Sequence, residues 1–90
     1  MGTKRHKFEV IYDILEAIQN ERGSIKPTRL GHKSNLSYKK MKEYIEDLKQ
    51  KDLIKEKVVD GKKIFEMTEE GYKYLAEFKK VKEFSESFGI

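Results

Sequence analysis

The chain has 90 residues, 37% apolar and 40% charged, with a net charge of +4 and no cysteine. That length holds one domain with a thin core, and the missing thiols exclude disulfides, thiolate metal sites and cysteine catalysis. No apolar run approaches the roughly 18 residues of a membrane span, and no apolar stretch follows the charged N-terminus as a signal peptide requires, so a cytoplasmic protein is expected.

The first helix is predicted from about Arg5 to Glu21. Phe8, Ile11, Leu15 and Ile18 recur at helical spacing, and Val10, Ile14 and Ala17 widen the stripe. Gly23 ends it, because glycine takes the left-handed C-cap backbone without strain. Ser24-Ile25 leaves room for a short strand or an extended link. Pro27 suits the first turn of a second helix, Pro27 to Lys33, whose inward anchor is Leu30. Ser34-Asn35-Leu36 reads as a tight turn, and Ser37 as the cap of a third helix. Met41, Tyr44, Ile45 and Leu48 form the buried face of that helix, opposite Lys39, Lys42, Glu43, Glu46, Lys49 and Gln50.

Beyond Leu53 the period changes from helix to strand. Ile54–Val59 and Lys63–Met67 flank Asp60-Gly61, a favoured two-residue hairpin turn, with Phe65 and Met67 facing the core. Thr68 caps a last helix, predicted to run to about Phe88, and Glu69 and Glu70 suit the positive end of its dipole. Tyr72 and Leu75 are expected to complete the core. The expected class is α+β, mostly α. Two helices joined by a short turn, with a hairpin directly behind, make a winged helix-turn-helix.

The charge is unevenly placed. From Arg22 to Lys42 seven basic residues follow one another with no Asp or Glu among them, and Lys4, Arg5 and Lys7 form a second cluster. A localised basic stretch is the footprint of phosphate contact, although a lysine-rich solvated surface gives the same pattern.

The segments Lys26-Pro27-Thr28-Arg29-Leu30, Ser34-Asn35-Leu36-Ser37-Tyr38 and Met67-Thr68-Glu69-Glu70-Gly71 resemble the signatures of an archaeal winged-helix family. The resemblance runs from about Lys7 to Phe78. It departs at Ser34, where alanine is usual, and in a C-terminal helix that ends early. What it implies is a dimeric DNA-binding protein with an antiparallel coiled coil, chromatin-associated or a transcriptional regulator.

On this reading residues 1–71 bind double-stranded DNA and residues 72–90 form the helix through which two copies pair. Ser37, Tyr38, Lys39, Lys40 and Lys42 lie early in the third helix, the part that meets base edges. Tyr38 either touches DNA or lies half-buried against the turn. The competing reading of the lysines is a solvated face with Lys39–Glu43 and Lys42–Glu46 pairs. Arg29 and Lys33 are assigned to phosphates, with a helix-end pairing as the alternative for Arg29. Lys62 and Lys63 at the wing tip are assigned to a flanking groove, and Lys4 and Arg5 to an arm or a solubilising tail. Tyr74, Phe78, Val81 and Phe88 follow a four-three spacing with Ser85 in the seam, and Phe84 widens it. The alternative is that this helix folds back on Phe8 and Tyr12.

Other chemistries find little support. His6 and His32 are far apart and without cysteine partners, and Ser24, Ser34 and Ser37 have no evident base. No glycine-rich phosphate loop is present. No metal, cofactor, small-molecule ligand, membrane partner or enzymatic activity is expected. The rival function is a winged-helix module that binds proteins and leaves DNA alone. RNA binding would need an aromatic platform on a sheet.

Overall fold

A computed structural model describes residues 7–89; the expectations for Lys4, Arg5 and His6 lie outside that range. Helix α1 (Lys7–Asn20) leads to β1 (Ser24–Ile25), α2 (Pro27–Ser34) and α3 (Tyr38–Gln50). Then follow β2 (Ile54–Val59), β3 (Lys62–Met67) and α4 (Glu69–Ser87). The sheet is antiparallel in the order β1-β3-β2.

Helix α1 is the spine of the fold. Its apolar stripe buries Val10, Ile11, Ile14, Leu15, Ala17 and Ile18 against α2, α4, β1 and β3. Leu30, Leu48, Ile54 and Leu75 come from four other elements to join the same core, all fully buried. Each such side chain contributes roughly 1.5–3 kcal/mol by leaving water, so a thin core still suffices when every element supplies an anchor. Tyr12 is buried too, and its hydroxyl donates to Glu16 at 2.9 Å. Burial first, and then that carboxylate neighbour, push the Tyr12 hydroxyl up to about 12.

Two residues of the predicted core stand differently. Phe8 is 52% exposed, because it lies at the outer edge of the stripe, with its ring 6.4 Å from that of Phe78. Tyr72 is 41% exposed. Its ring lies over the end of α1, and its hydroxyl occupies the place a Cβ on Gly23 would take. Gly23 is required by its φ of +95°, and a Cβ there would also have to displace the Tyr72 hydroxyl. Its carbonyl accepts from the Met67 N–H at 2.9 Å, which ties the end of α1 to β3.

The hairpin register runs from Ile54 opposite Met67 to Val59 opposite Lys62, closed by Asp60 (φ 52°) and Gly61 (φ 75°). Positive φ at both positions matches the right-handed twist of the strands. At the far end, the Thr68 side chain accepts from the Gly71 N–H at 3.0 Å and donates to the Asp52 carbonyl at 2.7 Å. The Thr68 N–H donates to the Leu53 carbonyl at 3.2 Å. The Thr-Glu-Glu-Gly segment is thus a joint that fastens α4 to the turn after α3.

Candidate nucleic-acid interface

The turn between α2 and α3 is fixed by its own chemistry. Ser34 extends α2 one residue beyond the expected end; it is buried, and its hydroxyl donates to the Leu30 carbonyl at 2.6 Å. A hydroxyl at this position stays satisfied inside the helix, so serine fits where a small apolar residue would otherwise stand. Asn35 takes the left-handed conformation at φ 55°, with its N–H on the Gly31 carbonyl. Ser37 then caps α3 by accepting from the Lys40 N–H at 3.2 Å.

This cap sets the rotation of α3. Met41, Ile45 and Leu48 point into the core, and Tyr38, Lys39, Lys42, Glu43 and Glu46 line a shallow outer surface. Tyr38 is 74% exposed, which leaves it outside the turn. The i, i+4 pairs of the competing reading do not form. Glu43 meets Lys40 at 3.9 Å, and Glu46 meets Lys49 at 3.2 Å. Lys49 also holds Glu56 of the wing at 3.1 Å, so α3 is braced against β2. Among the described residues, no carboxylate pairs with Lys39 or Lys42.

Beside α3, residues Lys26, Thr28, Arg29, His32 and Lys33 line a basic concavity on α2. Arg29 and Lys33 do not stand alone there. Glu21, just beyond α1, meets Arg29 Nε at 2.9 Å and Lys33 Nζ at 3.6 Å. The helix-end pairing considered for Arg29 is therefore present. Sequence reading missed its carboxylate, because Glu21 lies one residue outside the acid-free stretch. Neither α2 nor α3 has an acidic residue in its first turn, whereas α1 and α4 do. The positive ends of the two helices nearest the basic surface are left without an internal counter-charge.

On the wing, Lys63 pairs with Glu56 at 3.7 Å, and Lys55 and Lys57 share Glu66. Lys62 has no carboxylate partner among the described residues. Val58 and Val59, unremarked in the sequence, are 70% and 48% exposed at the wing tip. They close the run Ile54–Val59, which reads as an ordinary strand, and only the exposure of its far end shows that the hairpin outruns the core.

The structure divides the five predicted seam residues. Tyr74 and Phe78 are partly buried on their own domain, with the Phe78 ring 5.2 Å from Tyr12 and 6.3 Å from Tyr74. For Phe78 the fold-back arrangement holds. Val81, Phe84 and Phe88 lie beyond it, between 61% and 68% exposed, with the Phe84 and Phe88 rings tilted against each other at 4.7 Å between centroids. No described helix is long and apolar enough to cross a membrane.

Several solved structures share this architecture. Sso10a-2, a DNA-binding protein from Sulfolobus solfataricus, aligns with a TM-score of 0.74 at 25% identity, over 94% of this chain and 90% of its own. A winged-helix DNA-binding protein from STIV aligns with a TM-score of 0.77 at 19% identity, over 91% of this chain and 92% of its own. BpsR of Bordetella bronchiseptica, whose DNA binding is regulated by 6-hydroxynicotinic acid, aligns at 0.74 and 16% identity over 87% of this chain and 58% of its own. The last two likenesses concern the fold alone. No curated protein matches the sequence. A family model described as winged helix-turn-helix matches residues 4–86, and the chain belongs to that family.

Proposed function

We propose that the chain binds double-stranded DNA as a homodimer, as a transcriptional regulator or an architectural protein of the nucleoid. The observation that carries this reading is the outer face of α3. It presents Tyr38, Lys39 and Lys42 to solvent without acidic partners among the described residues, next to the basic surface of α2. A helix of this width fits the major groove, and the preceding helix then crosses the backbone. Ser37 and Tyr38 meet base edges, while Lys39, Lys40 and Lys42 reach bases or phosphates. Arg29 and Lys33 lie on the phosphate backbone, and Lys62 and Lys63 of the wing approach a neighbouring stretch. The DNA-binding activity stated for Sso10a-2 supports the same conclusion. Recognition of this kind needs only contacts, with no metal, cofactor or catalytic group.

Residues 1–71 serve DNA binding and residues 72–90, which hold most of α4, serve pairing. Val81, Phe84 and Phe88 form the contact between copies, because three large apolar side chains in water are a standing hazard. Tyr74 and Phe78 anchor the base of that helix to its own domain.

Titration of labelled duplexes over a range of salt tests the function. Affinity should fall steeply as salt rises, since each neutralised phosphate releases counterions. Duplex binding that is absent, or indifferent to salt, would contradict the proposal.

A further inference from the structure

The cluster of Glu21, Arg29 and Lys33 sets a carboxylate among residues assigned to phosphates. By Coulomb's law alone this is a defect, because a negative charge beside the DNA backbone repels it. The geometry gives it another use. Glu21 meets Arg29 at Nε, the inner nitrogen of the guanidinium, and the Arg29 side chain remains 57% exposed. A guanidinium held at Nε keeps its outer edge for a second oxyanion, and its planar fork suits a phosphate.

Glu21 itself is well fixed. Its N–H donates to the Ile18 carbonyl at 3.1 Å, and the following turn closes with the Gly23 N–H on the same carbonyl at 2.9 Å. Its side chain is 24% exposed, less than either cation it holds. The hydrogen bond from Arg29 is the main cause that keeps the Glu21 carboxyl below the ordinary carboxylate range, so the anchor stays ionised. An unrestrained arginine has rotamer freedom to lose when it docks on DNA. With Nε already engaged, part of that ordering is complete before DNA arrives.

Building on the DNA-binding reading above, we propose that Glu21 is a positioning residue: it holds Arg29 by Nε so that the outer guanidinium edge is presented to a phosphate of duplex DNA. The role is separable from simple charge, because the two predict opposite signs. Glu21→Gln keeps an oxygen that accepts from Nε and removes the negative charge. Glu21→Ala removes both.

The experiment compares wild type, Glu21→Gln and Glu21→Ala on one labelled duplex across salt concentrations, and repeats Glu21→Ala in an Arg29→Ala background. Glu21→Gln should bind as tightly as wild type or more tightly. Glu21→Ala should bind roughly three- to tenfold more weakly despite its more positive charge, with a salt slope shallower by about 1. In the Arg29→Ala background, Glu21→Ala should cause no further weakening, whereas a folding defect would weaken both backgrounds alike. If Glu21→Ala binds as well as wild type or better, or weakens both backgrounds equally, the positioning role is overturned and the DNA-binding reading stands. A wild-type protein with no affinity for duplex overturns both.

Discussion

Gly71→Ala should lower the melting temperature by roughly 10 °C or more, which in a domain this small corresponds to about 2 kcal/mol. A Cβ at this position would run into the Leu53 carbonyl oxygen and the Met67 side chain. Met67 can give way, but the carbonyl cannot, because it accepts the Thr68 N–H and belongs to the turn that follows α3. Overpacking against a fixed backbone typically costs 1–3 kcal/mol. The variant must lift α4 away from the turn, and with it Leu75, a fully buried anchor of the core. A thermal melt followed by circular dichroism measures the effect. A shift of less than about 2 °C would mean that the joint is looser than its hydrogen bonds indicate.

The second large effect concerns assembly. Wild-type protein should scatter light as a particle of twice 10.7 kDa, and Val81→Asp with Phe84→Asp should return it to the monomer mass. Those positions are chosen because both side chains are mostly exposed, whereas Phe78 packs on Tyr12 and its loss would damage the protomer. Carboxylates in a paired seam must be desolvated, and that cost is large. The monomeric variant should keep a cooperative melt. Its affinity for a duplex long enough for two domains should fall by at least about tenfold, because the second site no longer binds at high effective concentration. Wild-type protein that scatters as a monomer at high micromolar concentration would exclude the paired helix.

Most of the fold could be read from the sequence where the determining residues are neighbours. The Asp60-Gly61 turn, the Ser37 and Thr68 caps and the left-handed Asn35 are each set within a few residues, and they stand where expected. What escaped depends on distant partners. Phe8 and Phe78 meet each other across α1 and α4, so the periodicity of one helix left the seam and the fold-back on Phe8 and Tyr12 both open for Phe78. Tyr72 matched a core position by spacing, but the end of α1 lies beneath it instead. The same limit holds at the interface. The basic run from Arg22 to Lys42 was visible, but not which lysines would remain unpaired. The i, i+4 rule favoured Lys39–Glu43 and Lys42–Glu46, yet Lys40 and Lys49 take those carboxylates at i, i+3. Lys49 does so partly because Glu56 on β2 holds its ammonium in place, a contact across elements. Glu56 is in turn held below the usual carboxylate range, chiefly by its hydrogen bond from Lys49.

Paired charge deletions decide whether α3 meets the phosphates and bases of duplex DNA. Duplex affinity would be measured against salt for wild type, for Lys39→Ala with Lys42→Ala on α3, and for Lys73→Ala with Lys79→Ala on the exposed side of α4. Both variants lose the same net charge. If α3 lies on DNA, its variant should bind at least about tenfold more weakly, with a salt slope shallower by roughly 2, while the α4 variant keeps nearly the wild-type slope. Equal losses in the two variants would mean that only overall charge matters, and an unchanged α3 variant would remove this helix from the DNA.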